Sequence, residues 1–432
     1  MHPTPSLILS LLFALAVLLG ALLKFWLASR QMRAVAVHRD EVPAAFAGRI
    51  ALPAHQRAVD YTLVKLRFGL LELTYSTMVV LGWTLLGGLD LLNAALLAVF
   101  GAHALVQPLA LLIAFTLING VIDLPFSLFQ TFVIEQRFGF NKMTWRLWLM
   151  DLLKSMLVGA VIGIPLALLA LWLMQAAGPS WWLWVWALWL GFALSMMVLY
   201  PMVIAPLFNT FEPLQDQALA TRVTALMARC GFAAKGLFVM DGSRRSAHGN
   251  AYFTGFGAAR RVVFFDTLLK QLDPPEVEAV LAHELGHFKR RHIVQRLALM
   301  AVLSLAGLAL LAWLAQQSWF YTGLGVTPNL PPAQGGAVPN SALALILFML
   351  AAPVFGIFVS PLAAWLSRHH EFQADAYAAQ QTDAASLARA LVKLYQDNAS
   401  TLTPDPVYVR FYYSHPPALA RIARLGVEVD IQ

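Results

Sequence analysis

The residues best suited to chemistry are concentrated in Leu281–His292, which reads L-A-H-E-L-G-H-F-K-R-R-H and holds His283, Glu284 and His287 in the pattern H-E-x-x-H. On an α-helix, positions four apart share a face. The two imidazoles would then lie side by side, able to grip one Zn²⁺ per chain, with Glu284 beside the ion as a general base. The flanking residues predict such a helix. Asp273-Pro274-Pro275-Glu276 supplies an N-cap, prolines in the first turn and an acid at the third helical position. Val277, Val280, Leu281 and Leu285 then give an apolar stripe. Because the motif fixes only three residues, a surface helix with two histidines is the competing reading, and context must decide.

A catalytic zinc takes three protein ligands and keeps one position open. The stretch Ser367–Asp375, S-R-H-H-E-F-Q-A-D, places Glu371 and Asp375 four apart on one helical face. Glu371 is a candidate third ligand, and Asp375 a carboxylate that would accept a hydrogen bond from a ligating histidine. His369 and His370 are rival ligands on residue type alone.

The elements that must position these residues lie in a membrane. The chain has 432 residues, 59% of them hydrophobic and 12% charged, and a mean hydropathy of +0.67. That is a polytopic membrane composition, not a soluble one. Seven apolar spans are predicted, at 6–28, 67–89, 104–126, 149–174, 181–205, 297–316 and 343–366; the first is read as a retained helix rather than a signal peptide. The stretch 90–103 reads as an interfacial helix or an extension of the third span. Lys and Arg alternate between loops. Seven follow the first span, three lie in 127–148, twelve in 206–296 and six from Arg368 on, while 90–103, 175–180 and 317–342 carry none. By the positive-inside rule the basic loops, the C-terminus and the zinc site are cytoplasmic and the N-terminus is outside. This topology accounts for the net charge of +7 without nucleic acid as a partner. The single cysteine, Cys230, allows no intrachain disulfide.

Residues 1–205 are thus expected to hold five transmembrane helices, 206–296 a zinc peptidase domain, 297–366 two further spans and 367–432 a cytoplasmic part that completes the site. Ala218–Ala234 predicts an amphipathic helix. Gly236–Met240, Ala251–Gly255 and Arg261–Phe265 predict strands, with a turn at Gly255-Phe256-Gly257. Strands followed by an H-E-x-x-H helix suit a peptidase in which an edge strand, here Asn250-Ala251-Tyr252-Phe253, holds an extended peptide. Trp181, Trp182, Trp184, Trp186 and Trp189 read as an interfacial aromatic belt. Glu72, Asn119 and Asp123 inside spans predict helix-to-helix hydrogen bonds or a wet cavity.

Six blocks spread over some 290 residues resemble the integral-membrane zinc metalloproteases of the type I CAAX prenyl endopeptidase family. They are Phe132–Thr144, Pro206–Leu214, His248–Gly255, His283–His287, Ser367-Arg368 with Glu371–Asp375, and Tyr413–Pro417 with Arg421. The resemblance implies a mainly α fold, seven transmembrane helices forming a barrel around a water-filled intramembrane chamber. A small α+β zinc domain of gluzincin type would close its cytoplasmic end. It implies that Glu371 is the third ligand and Asp375 the acid behind a histidine. Asn250, Ala251 and Tyr252 would pair with substrate, and His415 and Arg421 would approach the scissile carbonyl and the substrate. Gly249 departs from the family pattern, where serine is expected.

Two substrates fit this reading: C-terminal CAAX peptides carrying a prenyl group, and damaged or misfolded membrane proteins cut without prenyl specificity. The Ala- and Trp-rich character and short loops suggest a bacterial inner-membrane protein. A zinc-stabilised channel or transporter with a vestigial site is the reading from another class, and the intact Glu284 argues against it.

Overall fold

The computed structural model describes residues 3–101, 103, 105–232, 236–254, 261–329 and 340–426. The expected turn at 255–257 and the end of the helix expected over Ala218–Ala234 lie outside the described residues. Two long helices open the chain, α1 (Pro5–Val37) and α2 (Leu52–Trp83), followed by α3 (Gly88–Phe100), α4 (Val106–Phe129), α5 (Trp145–Ala176) and α6 (Trp181–Leu199). π-helical turns extend α4 through Gln130–Glu135 and α6 through Tyr200–Ile204 into the short α7 (Ala205–Phe208). Then come β1 (Phe211–Pro213), α8 (Gln217–Arg229), β2 (Leu237–Met240), β3 (Ala251–Thr254), β4 (Arg261–Phe265), α9 (Asp266–Gln271) and α10 (Pro274–Lys289). The chain continues through α11 (His292–Leu314), α12 (Ser318–Gly323), α13 (Ser341–Gln381), α14 (Ala384–Asp397), α15 (Pro406–Tyr412) and α16 (Ala418–Leu425).

Six helices are long and apolar enough to cross a membrane, and α2 with α3, a pair bent by 48° at its break, makes a seventh if it is one span. Their packing is that of lipid-facing helices. On α1, Phe13, Ala16, Val17 and Gly20 are buried, while Leu11, Leu15, Leu18 and Leu22 are 50–60% exposed. An exposed leucine stripe of this kind is stable in hydrocarbon, where the helical backbone is already satisfied, and unfavourable in water.

Three expectations about the spans change. The second helix begins at Leu52, so Lys65 and Arg67 belong to it and not to a loop. The 90–103 stretch does not extend the third span; α3 is a helix of its own, ended by Gly101 at φ +63°. The seventh span and the segment after it form one helix: α13 runs 41 residues and carries Glu371 and Asp375 beyond the predicted span. The tryptophans also divide. Trp184 is 59% exposed, as a belt residue should be, but Trp181 is 1% exposed and packs in an outer core with Leu89, Leu111 and Tyr321. Asn119 takes the helix-to-helix role: the Trp83 indole N–H donates to its Oδ1 at 3.1 Å.

The soluble piece carries a four-stranded sheet in the order β1-β2-β4-β3. β2 and β4 run parallel and the outer pairs are antiparallel. β1 was not expected, since three residues ending in proline carry little strand signal. The sheet's buried face (Val262, Phe264) packs against α8, α10 and α14 through Leu226, Leu281, Leu285 and Leu391. β3, which pairs with β4 alone, is an edge.

Candidate metal centre and active site

Helix α10 begins as its sequence demands. Asp273 and Glu276 form a capping box, and Lys393 Nζ holds both carboxylates, at 2.7 and 2.8 Å. The helix then crosses α13 at Gly286. A Cβ on Gly286 would lie 2.9 Å from Ala374 Cα and 3.1 Å from its carbonyl oxygen. Only glycine permits this approach, and the approach brings His283 and His287 onto Glu371.

The three donors converge. His283 Nε2 and His287 Nε2 lie 3.3 Å apart, and each is 3.3 Å from an oxygen of Glu371. One ligand atom from each of the three residues falls within 4.8 Å of the others. Glu371 Oε2 is buried in no hydrogen bond, although it sits close to His283. Burial opposes charge on His283, but hydrogen bonding to Asp375 and Glu371 outweighs it and pulls the imidazole pKa up to about 9. Two imidazoles with a carboxylate are the donor set of a catalytic zinc. The residues therefore fit the metal. His369 and His370 fall outside the cluster. His370 instead stacks on His292 at 4.1 Å between ring centres, and His369 meets Gln373.

Behind the donors each histidine is held by its far nitrogen. His283 Nδ1 is 2.8 Å from Asp375 Oδ1, and Arg421 donates to both oxygens of Asp375, at 2.8 and 2.6 Å. Arg421 is 7% exposed. The resemblance implied a substrate contact, but its guanidinium is committed to Asp375 beneath the site. His287 Nδ1 meets His292 Nδ1 at 2.9 Å, and His292 Nε2 meets Gln373 Oε1 at 2.8 Å. His292 is thus the structural, supporting residue that its sequence context suggests, while Gln373 carried no signal. On an unbroken helix, residues five apart point about 140° away from each other. Arg291, at φ +58°, breaks the helix and turns His292 back.

Glu284 is half-buried and faces a cavity of ≈ 1110 Å³ together with His287, Glu371, His415 and the β3 residues Tyr252 and Phe253. His415 projects into it with its side chain 61% exposed and Nε2 3.5 Å from Glu371 Oε1. Burial by its neighbours pushes its pKa below the usual value. On β3, Phe265 N–H donates to Asn250 O at 2.9 Å. With the register Ala251↔Phe264, the main-chain groups of Ala251 and Phe253 therefore face the open side. Asn250 Oδ1 already accepts from Ala251 N–H at 2.8 Å, which leaves Ala251 C=O and both groups of Phe253 free for an added strand. At Gly249, Gln271 Oε1 fills the space a serine Cβ would take. His248 stands apart from the metal donors, stacked on Phe140 and bonded to Asn398 Oδ1 at 2.9 Å.

The chain is similar to known proteins over its whole length. Residues 31–210 match the family profile described as CAAX prenyl protease N-terminal, five membrane helices, and residues 213–429 match peptidase family M48. The CAAX prenyl protease 1 homolog of Oryza sativa subsp. japonica is 35% identical over 406 residues, 92% of each chain. That of Arabidopsis thaliana is 38% identical over 72% of this chain and 71% of its own. The crystal structure of S. mikatae Ste24p superposes with a TM-score of 0.87 at 29% identity, covering 98% of this chain and all of that one. A barrel of membrane helices around a chamber, closed by a zinc-peptidase fold, is thus shared with a solved relative. The chain therefore belongs to peptidase family M48, among the CAAX prenyl proteases, and is a multi-pass integral-membrane zinc metalloprotease.

Proposed function

We propose that the chain is an endopeptidase in which His283, His287 and Glu371 hold one Zn²⁺ and Glu284 is the general base. The observation that carries this is the convergence of the three donors within 4.8 Å in a cavity that also holds Glu284 and the free edge of β3. Zinc, when bound, supplies the Lewis acidity that makes water a nucleophile near neutral pH. Glu284 takes the proton from the attacking water and returns it to the leaving amine. His415 stands where it can donate to the carbonyl oxygen as charge develops, a contribution of about 10²–10³ in rate for one such donor. Asp375 and Arg421 keep His283 oriented. Asn250, Ala251 and Tyr252 carry the edge on which an extended substrate pairs.

The substrate is a C-terminal peptide of CAAX type, prenylated, or a segment of a membrane protein. The names of the relatives favour the first, and the apolar wall of the cavity at Met196 and Met197 suits a lipid chain. The loop charges favour a cytoplasmic site with the N-terminus outside, and the Ala- and Trp-rich character and short loops favour a bacterial inner membrane. The test is cleavage in detergent of matched CAAX peptides with and without the prenyl group. Faster cleavage of the prenylated peptide supports the first substrate. Equal cleavage, together with cutting of unfolded membrane segments, replaces it with the quality-control role.

A further inference from the structure

A second cavity, of ≈ 760 Å³, adjoins the first, and Ser414 and His415 line both. Strand β3 runs from one to the other. Tyr252 and Phe253 line the larger cavity, and His248, just before the strand, lines the smaller. A peptide added to the open edge runs antiparallel to β3 in the more stable pairing. Its chain then advances from Phe253 toward His248, so the residues beyond the scissile bond enter the smaller cavity. Three such residues extend at most about 10–11 Å.

That cavity carries positive charge. Its wall includes Lys24 of α1 and Lys65 of α2, with Thr62, Asn398 and several tyrosines, and no Asp or Glu. Neither lysine forms an ion pair among the described residues. Lys65 Nζ is 3.3 Å from the hydroxyl of Tyr61, which itself donates to Glu135. Glu135 is the acid on the far side of that hydroxyl, and a lysine with no carboxylate in direct contact is kept where it lines a wet path or meets an anion.

We propose that this cavity is the subsite for the free C-terminal carboxylate of the substrate, with Lys24 and Lys65 as its positive wall. The inference rests on the peptidase reading above. It makes the free chain end part of what the enzyme recognises, beside the residues at the scissile bond.

The test uses full-length enzyme in detergent and two CAAX-type peptides that differ only in ending as acid or amide. Wild type should prefer the acid by about 10–100-fold in kcat/KM, the size of charge-assisted hydrogen bonding. Lys24→Met with Lys65→Met should erase the preference by raising KM for the acid and leaving the amide unchanged. Lys270→Met, on the domain surface, should keep it. Equal cleavage of acid and amide by wild type, or a preference that survives the double substitution, overturns the proposal. So does a double variant that loses both peptides equally and whose wild type responds to added phosphatidylglycerol, since the cavity would then hold a lipid headgroup. Binding of the same two peptides to Glu284→Gln reads the subsite without turnover. If wild type cuts neither peptide while this variant still binds the acid through the lysines, the peptidase reading falls and the subsite stands.

Discussion

Gly286→Ala tests how the metal donors are brought together. The new Cβ would meet Ala374 Cα at 2.9 Å, Ala374 O at 3.1 Å and Tyr377 Cβ at 3.2 Å. None of these is the free end of a flexible side chain, and Ala374 is fully buried. Ordinary contact between carbons needs about 3.5–4.0 Å, so α10 and α13 must part by roughly 0.6–1 Å. Overpacking of this kind costs about 1–3 kcal/mol. The gain in helix propensity from Gly to Ala returns about 1 kcal/mol, so the net loss of fold stability should be only about 0–2 kcal/mol. The donors are less forgiving, because ligand distances tolerate about ±0.2 Å. His283 and His287 move with α10 while Glu371 stays with α13, so zinc affinity should fall far more than stability does, by about 10–100-fold or more. Chelator competition gives the affinity, and thermal unfolding in detergent gives the stability. Gly159→Ala is the control, since nothing lies within 4 Å of its added Cβ. Wild-type zinc affinity in Gly286→Ala would refute the close crossing as the device that assembles the site.

Other substitutions separate the supports of the site. Asp375→Ala leaves the buried guanidinium of Arg421 and His283 Nδ1 without their partner, so it should cost about 3–5 kcal/mol, seen as a large fall in unfolding temperature. His292→Ala frees His287 Nδ1 and should weaken zinc by about 10–100-fold with little effect on the fold, measured by the same chelator competition. Asp405 caps α15, accepting from Val407 and Tyr408 N–H at 3.0 and 2.8 Å, and reaches Arg30 of α1. Asp405→Ala should lose about 1–2 kcal/mol from the cap and little more from the half-exposed ion pair; an unchanged unfolding temperature would contradict this.

How far the sequence carried the account depends on the geometry each residue needs. His283, Glu284 and His287 were legible because a helix places i and i+4 together whatever surrounds it. Glu371 and Asp375 followed the same rule, and the loop charges put them on the same side of the membrane. Arg421 was named by the resemblance alone, and its ion pair with Asp375 was not legible because residue type says nothing about depth: a buried guanidinium on Asp375 and an exposed one on substrate look alike. His292 was legible only as a supporting residue, because its contact with His287 depends on a left-handed residue at Arg291, a tertiary override of helical spacing. Gly286 was visible inside the motif, but its meaning required knowing that α13 crosses there. Lys65 was counted as a loop charge because hydropathy sets span limits by the absence of charge. The structure extends α2 past it to Leu52, and a helix end beyond the apolar stretch leaves no signal in hydropathy. β1 and the π-helical turns leave no periodic signal at all.

The central claim is that His283, His287 and Glu371 hold one zinc and Glu284 moves the proton. The direct measurement is zinc content together with cleavage of a prenylated CAAX peptide, in detergent, for wild type, Glu284→Gln and Glu371→Ala. The account predicts about one zinc and activity in wild type, zinc without activity in Glu284→Gln, and neither in Glu371→Ala. Full activity in Glu284→Gln, or undiminished zinc in Glu371→Ala, would contradict it.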